Sequence, residues 1–314
     1  MIPRVSELLV FGDSLCDGGN ARALLGDGAF LCPPHWANRR CDGPLWVEGL
    51  AAGLGLPPLA PSLAGGTNHA FGGARSGSGF SPKGVPNLLT QVEGFLERGE
   101  GRLAWRPGVG RDGPWLGSLV AGAGAESADP ALLLPALEGS SVLVVVRAGA
   151  NDYLDAPPGP AVGDSVNGHL IAAVNALADL GLRQFLVPSE LPWGTSPIEL
   201  PGIGALERRA LNALIARQNA ALREALVELA GRRQLVVVQP DFHGLFLEIQ
   251  AAPEAWGFRE IQRPALAHAA AMPSTESAAP DASGFLWWDA WGHLTSAFHR
   301  HLAERALGVL RQVR

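Results

Sequence analysis

Four short apolar runs, separated by amphipathic stretches, constrain the fold of this chain more than any other feature of its sequence. Each run is apolar almost throughout, as expected of strands that are covered on both faces. The runs lie at residues 8–11, 141–146, 184–187 and 234–238. Helices are predicted at residues 166–180, 206–231 and 295–310, and the second has apolar residues three and four positions apart. This alternation predicts an α/β fold with a mostly parallel central sheet.

The chain is predicted to form one domain. Its 314 residues suit an enlarged α/β domain, and neither a repeat nor a clear linker divides it. Two stretches rich in Gly, Pro and Ala, near residues 99–138 and 251–284, depart from the alternating pattern. Loops of that length often border a binding cleft. The alternative is that they are surface insertions without a catalytic role. The prediction is a single domain over residues 1–314 with two long loop insertions.

Charge excludes two classes of function. The formal net charge is −6, and Lys83 is the only lysine in the chain. A phosphate-binding loop that ends in Gly-Lys-Ser/Thr is therefore absent. The sequence also lacks a basic stripe interleaved with aromatic residues, which argues against a nucleic acid partner.

The sequence contains no apolar run long enough to span a bilayer, and no leader segment precedes the first predicted strand. We therefore expect a soluble chain without stable membrane insertion. Its compartment would be secreted or periplasmic if a leader has been removed, and cytoplasmic otherwise. The sequence leaves the oligomeric state open.

Three cysteines are present, and their spacing does not fit a zinc site. Cys32 and Cys41 flank a loop that contains Pro-Pro, and they could form a disulfide in an oxidising compartment. Cys16 would then have no cysteine partner. The sequence leaves this pairing open.

A serine and a histidine at opposite ends of the chain are the first candidates for chemistry. Ser14 follows the first predicted strand in a Gly-containing turn, where α/β folds place ligands, although a serine there can also act as a helix cap. Near the other end, Asp289 and His293 supply a carboxylate and an imidazole. A serine hydroxyl becomes a good nucleophile when an imidazole takes its proton and a carboxylate orients that imidazole.

Two further residues are suited to stabilising an oxyanion. Asn151 follows the second predicted strand and offers a side-chain amide. Gly73 offers a backbone N–H that no side chain obstructs. Acyl transfer needs such donors because negative charge develops on the former carbonyl oxygen.

Four segments in order resemble the motif blocks of the GDSL lipases and esterases, also called SGNH hydrolases. They are residues 11–20, 68–74, 149–152 and 289–293. The resemblance implies a three-layer α/β/α, flavodoxin-like fold. It also implies Ser14 as nucleophile, Asp289 and His293 as acid and base, and an oxyanion hole made of the Ser14 N–H, the Gly73 N–H and the Asn151 amide.

The similarity covers most of the chain. Further segments look like those of the bacterial lecithinase/haemolysin-like branch of the family. They lie at residues 42–48, 89–92, 191–197 and 253–258. The resemblance therefore does not depend on the four blocks alone.

One departure concerns the acid. The family usually spaces acid and base as Asp-x-x-His followed by Pro, whereas Asp289 and His293 are four apart and Leu294 replaces the proline. Asp289 is predicted to orient His293 from a bulged position. The alternative is a backbone carbonyl in that role.

Other polar residues near the blocks receive structural interpretations. Asp13 and Asp152 are predicted to brace loop backbone. His299 and His301 are interpreted as surface or packing groups on the last helix. Trp287, Trp288 and Trp291 either pack beneath that helix or line an acyl or sugar site.

The sequence thus predicts a serine esterase that hydrolyses small-molecule carboxylic esters through an acyl-enzyme on Ser14, with short- to medium-chain acyl esters favoured. No metal and no organic cofactor is expected. Carbohydrate O-acetyl ester hydrolysis and acyl transfer to an alcohol are the alternatives that use the same residues. A binding module with a flavodoxin-like frame and no catalysis is the third alternative.

Overall fold

The computed structural model describes residues 5–26, 35–99, 142–155, 159–198, 204–270 and 281–312. Four parallel strands form its sheet, in the order β1-β2-β3-β4. They are β1 (Glu7–Gly12), β2 (Val142–Arg147), β3 (Gln184–Leu186) and β4 (Val236–Val238). The predicted parallel sheet is confirmed, with strand boundaries within two residues of those expected.

A fifth extended segment, residues 67–71, runs parallel to β1 at its free side. The backbone N–H of Val10 donates to Thr67 O at 3.0 Å, His69 N–H donates to Val10 O at 2.7 Å, and Phe71 N–H donates to Gly12 O at 3.0 Å. If this segment is counted as the second strand in the sequence, the order of the strands across the sheet is 2-1-3-4-5. This is a flavodoxin-like order. The carboxyl ends of β1 and β2 therefore lie where the chain reverses its direction of winding, the usual ligand crevice of such sheets.

Nine α-helices lie within the described ranges. They are α1 (Asn20–Leu25), α2 (Trp46–Gly53), α3 (Leu88–Gly99), α4 (Ala150–Leu154), α5 (Pro160–Asp179), α6 (Ala205–Arg233), α7 (Phe242–Ala251), α8 (Ala265–Ala270) and α9 (Ser296–Gln312). The helices predicted at residues 166–180, 206–231 and 295–310 correspond to α5, α6 and α9.

The strands are apolar on both faces because each face packs on a different helical layer. In β1, Leu8 and Val10 point into a core shared with α2, α7 and α9. Leu9 and Phe11 point into the opposite core, which is shared with α3, α5 and α6. This arrangement gives the three-layer α/β/α architecture that was predicted.

The stretch at 251–284 is partly helical rather than a plain loop. It holds a 3-10 turn at Pro253–Trp256 and the helix α8, and residues 271–280 of it lie outside the described residues. The N–H of Ala265 donates to Trp287 O at 3.0 Å, and the N–H of Leu266 donates to Trp288 O at 3.1 Å. The start of α8 therefore pairs with the chain just ahead of Asp289.

Several predictions fall on residues that are not described. The insertion near 99–138 lies almost wholly outside the described residues, and so does Cys32. Cys41, the other cysteine of the pairing that the sequence left open, is a buried free thiol. Of the helices in the described ranges, none combines the length and the apolar character needed to cross a membrane.

Candidate active site

Ser14 lies in a tight turn directly after β1. The carbonyl of Asp13 accepts hydrogen bonds from the N–H groups of Cys16 and Asp17, both at 3.0 Å. The Asp13 carboxylate accepts one from Leu15 N–H at 3.1 Å. Asp13 thus braces the loop backbone, as predicted, and holds Ser14 at the carboxyl edge of the sheet.

Ser14 is not the cap of the helix that follows. The first turn of α1 is bound by Asp17, whose carboxylate accepts from the N–H groups of Gly19 at 2.7 Å, Asn20 at 2.6 Å and Ala21 at 3.0 Å. The alternative interpretation of the serine as a cap is therefore wrong. Ser14 keeps a partly exposed hydroxyl that no backbone group of α1 engages.

The structure brings the hydroxyl, the imidazole and the carboxylate into one hydrogen-bonded line. His293 Nε2 lies 3.1 Å from Ser14 Oγ, although the two residues are 279 positions apart. His293 Nδ1 lies 2.9 Å from Asp289 Oδ1 and 2.8 Å from Oδ2. The group that faces Nδ1 is thus the Asp289 carboxylate and not a backbone carbonyl.

The four-residue spacing of acid and base is accommodated by a tight loop. The N–H of Trp288 donates to His293 O at 2.7 Å, which closes the loop at its base. Asp289 Oδ1 accepts from the N–H of Trp291 at 2.9 Å and from the N–H of His293 at 3.1 Å. Gly292 has a φ of 83°, a left-handed conformation that glycine adopts without steric cost. The extra residue is absorbed in this turn, so the carboxylate still reaches the imidazole.

The carboxylate of Asp289 is ionised over the whole physiological range. Burial by itself raises its pKa, but the charge of the His293 ring and the hydrogen bonds from that residue outweigh burial. Arg40, with Nη1 at 4.0 Å from Asp289 Oδ2, also favours the charged form. The net effect lowers the pKa of Asp289 to about 2. An ionised carboxylate only accepts hydrogen bonds, so His293 Nδ1 carries the proton between them.

Gly73 and Asn151 follow the two strands on either side of the Ser14 turn. Gly73 has a φ of 89°, and the Asn151 side chain is 7% exposed, with Nδ2 donating to Ala74 O at 2.9 Å. A Cβ placed on the neighbouring Gly72 would stand 3.6 Å from the Cβ of Ser14. Within the described residues, the N–H groups of Ser14 and Gly73 donate to no acceptor. The glycine loop therefore lies against the serine and leaves two N–H donors available.

Sequence reasoning missed the polar residues that join the blocks to one another. Asp17 accepts from Gly72 N–H at 2.8 Å, which ties the serine turn to the glycine loop. Asn20 Nδ2 donates to Asn68 O at 2.7 Å and to Ala70 O at 2.9 Å. These side chains are buried. The signal that could have found them is a run of Asp and Asn inside motif segments that otherwise contain mainly apolar residues and glycine.

Sequence reasoning also missed a buried ion-pair network beneath the site. Arg147, the last residue of β2, pairs with Asp13 and, through Nη2 at 2.5 Å, with Glu190 Oε1. The three residues are at most 5% exposed. Because they come from the ends of β1 and β2 and from the loop after β3, the network joins three adjacent strands at their carboxyl ends.

The aromatic residues near the base divide into two groups. Trp287 and Trp288 are buried, in agreement with a packing role, whereas Trp291 is 63% exposed. His299 is buried on α9 and accepts from Trp46 N–H at 3.1 Å, so it is a packing group rather than a surface group. Over the ranges that the structure describes, no cluster of three His, Cys, Asp or Glu residues is arranged to hold a metal ion.

Comparison with known proteins places the chain in a family. A family model described as GDSL-like Lipase/Acylhydrolase matches residues 8–306, which include both the Ser14 turn and the His293 loop. The curated proteins yield no significant match. Because the matched region covers nearly the whole chain, the protein belongs to the GDSL-like lipase/acylhydrolase family and is a carboxylic ester hydrolase.

Proposed function

We propose that the protein hydrolyses carboxylic esters through an acyl-enzyme on Ser14, with His293 as general base and Asp289 as the group that orients it. The observation that carries this proposal is the 3.1 Å contact between Ser14 Oγ and His293 Nε2, backed by the Asp289 carboxylate on Nδ1. Ionised Asp289 keeps the imidazole proton on Nδ1, so the lone pair of Nε2 faces the serine hydroxyl.

Acylation begins when His293 Nε2 takes the Ser14 proton while Oγ attacks the ester carbonyl. Negative charge then develops on the carbonyl oxygen. The proposed donors to it are the N–H groups of Ser14 and Gly73 and the Nδ2 amide of Asn151. Asn151 Nδ2 has two protons, and its bond to Ala74 O uses one of them, so the other remains for the substrate.

The tetrahedral intermediate collapses when His293 returns its proton to the leaving alcohol oxygen, which breaks the C–O bond and leaves Ser14 acylated. In the second half, a water loses its proton to Nε2 and attacks the acyl carbonyl. The carboxylic acid leaves as Ser14 regains its proton. Asp289 stabilises the imidazolium in both halves without itself being protonated.

The substrates we propose are short- to medium-chain acyl esters, and the branch we propose is the bacterial lecithinase/haemolysin-like one. The exposed ring of Trp291, whose backbone N–H is held by Asp289, supports an apolar contact next to the base. The same ring could stack on a sugar, which keeps carbohydrate O-acetyl esters as the second candidate class.

Labelling tests the proposed nucleophile. A fluorescent alkyl organophosphonate should label the wild-type protein on Ser14 alone, and Ser14→Ala should abolish the labelling. Ser196→Ala is a matched control, because Ser196 is buried and donates to Trp193 O at 2.7 Å, so it should label like wild type. Adduct mapped by mass spectrometry to a residue other than Ser14 contradicts the proposal.

Kinetics test the substrate class. A series of aryl esters from acetyl to dodecanoyl should give its highest kcat/KM at eight carbons or fewer, and Trp291→Ala should lower the preference for the longer members. An acetylated xylan or pectin oligosaccharide cleaved faster than every aryl ester would instead favour the carbohydrate class. Product analysis with added alcohol separates hydrolysis from acyl transfer, because transfer yields a new ester.

A further inference from the structure

A carboxylate and a buried hydroxyl connect the two loops that carry the proposed oxyanion donors. Asp152 directly follows Asn151, and Ser76 lies three residues after Gly73. The Ser76 N–H donates to Asp152 Oδ2 at 2.9 Å, and the Ser76 hydroxyl donates to Asp152 Oδ1 at 2.7 Å. Both oxygens of one carboxylate are therefore used to hold one residue of the opposite loop.

The hydrogen bonds between Ser76 and Asp152, here called the clamp, continue into the helical layer. His169, on α5, places Nδ1 at 2.9 Å from Ser76 Oγ. The Ser76 hydroxyl has a single proton, which is donated to Asp152, so His169 Nδ1 must supply the proton in its contact with Ser76. The resulting chain runs from His169 through Ser76 to Asp152, with each hydrogen bond donated in the same direction. Ser76 is fully buried, so its hydroxyl faces these two side chains rather than bulk solvent.

Two further contacts join the same loops. Asn151 Nδ2 donates to Ala74 O at 2.9 Å inside the site. At the surface, Arg75 Nε pairs with Asp155 Oδ2 at 3.0 Å, with about a third and a quarter of the two side chains exposed. Exposed ion pairs contribute little, whereas hydrogen bonds from a buried hydroxyl and a backbone N–H to a carboxylate are strong and directional. The Ser76–Asp152 pair is thus the contact best placed to fix the distance between the loops.

We propose that Asp152, Ser76 and His169 are positioning residues that hold the Gly73 N–H and the Asn151 amide at the separation needed to bind one oxyanion. This inference rests on the proposed function, since it assigns a role within the same site. None of the three is a catalytic residue, because each acts through the loop that it holds. Loss of these positioning contacts should lower the rate strongly, because a shift of about 1 Å in a catalytic group can cost about 10²-fold in rate.

The test compares an ester with its thiono analogue, in which sulfur replaces the carbonyl oxygen. Sulfur is larger and a weaker hydrogen-bond acceptor, so thionoester turnover gains less from an oxyanion hole. In Asp152→Asn, the amide group faces a second donor and one of the two bonds to Ser76 is lost. We expect kcat on the oxoester to fall by about 10- to 100-fold with KM little changed. The ratio of oxoester to thionoester kcat/KM should fall by about 10-fold as well.

Matched variants separate positioning from general damage. Asp155→Asn makes the same chemical change three residues away, at the surface pair between the same loops, and should keep the wild-type ratio. His169→Leu should lower the ratio, and His169→Asn should restore it, because an Asn amide can present an N–H where Nδ1 lies. Ser76→Ala gives a second route to the clamp if Asp152→Asn does not fold.

One result would overturn the inference: a ratio that stays at the wild-type value in Asp152→Asn and Ser76→Ala, whether the two rates are unchanged or fall by the same factor. That result does not touch the proposed function, which is tested in the wild type by ester turnover and by labelling of Ser14. A wild type that cleaves no ester would refute the proposed function instead.

Discussion

Acid should destabilise this protein through one buried imidazole, that of His299 on α9. The side chain is 1% exposed, and its Nδ1 accepts the Trp46 backbone N–H at 3.1 Å, which requires an unprotonated Nδ1. Its Nε2 is buried and has no hydrogen-bond partner among the described residues. Burial, and then the nearby positive charges of His293 and Arg147, lower the pKa of His299 to about 3.

The direction and size of the effect follow from proton linkage. In the unfolded chain the imidazole has a pKa of about 6.5, so below that pH the unfolded state binds a proton that the folded state does not. The stability that depends on neutral His299 is complete above pH 6.5 and is lost progressively as the pH falls towards 3. At pH 5, which is about 1.5 units below the pKa in the unfolded chain, proton binding to the unfolded state lowers the free energy of unfolding by about 2 kcal/mol.

The perturbation that isolates this contribution is His299→Asn, which keeps an acceptor near the position of Nδ1 and removes the titrating group. Urea unfolding followed by tryptophan fluorescence at pH 7.5 and pH 5 gives the free energy of unfolding of both proteins. The variant should lose some stability at both pH values because the ring leaves a gap. Between the two pH values, however, wild type should lose about 2 kcal/mol more than the variant. If the two proteins lose the same amount, the assignment of a depressed pKa to His299 is refuted.

Three further predictions concern the site and its support. Asp289→Asn should lower kcat by about 10⁴-fold, because an amide no longer fixes the imidazole tautomer, and a steady-state rate within tenfold of wild type would contradict this. Asn151→Ala should lower kcat by about 10²- to 10³-fold with little change in KM, and an unaltered rate on an aryl ester would remove Asn151 from the oxyanion hole. Arg147→Met should cost about 3–5 kcal/mol in urea unfolding, because it leaves the buried carboxylates of Asp13 and Glu190 without their cation, and a loss below about 1 kcal/mol would count against the network.

Much of the fold could be predicted because its strands are buried on both faces. Continuous apolar runs such as Val142 to Val146 need two covering layers, and the intervening helical segments supply them. The parallel sheet predicted from this pattern is therefore confirmed, and so is the three-layer architecture that the family resemblance implied. The single-domain organisation remains a prediction, and the insertion near 99–138 lies outside the described residues.

Some residues of the candidate site can be recognised in a short segment of sequence, whereas the contacts between them depend on the folded chain. Ser14, Asp289 and His293 could be named from the sequence because each lies in a recognisable block, and the structure brings the three into hydrogen-bond contact. Their catalytic roles stay predictions. A bulged position of Asp289 was predicted, but the left-handed turn at Gly292 that accommodates the extra residue could not be foreseen.

Arg147 shows why the supporting residues escaped prediction. It ends an apolar strand, and a single arginine at such a place reads from the sequence as a surface residue. Its partners Asp13 and Glu190 are 134 and 43 residues away, so only the folded sheet reveals that one guanidinium pairs with both carboxylates. Long-range pairing of this kind leaves no periodic signal in the chain.

The distance of 279 residues between Ser14 and His293 has a consequence for biosynthesis. A ribosome adds Ser14 to the chain 279 residues before His293, so the growing chain carries the hydroxyl before the imidazole that lies beside it in the folded protein. The contact between these two groups can form only after the segment with His293 has been synthesised and has docked beside the Ser14 turn. The activity proposed for Ser14 therefore depends on a contact that forms only after most of these residues have been synthesised.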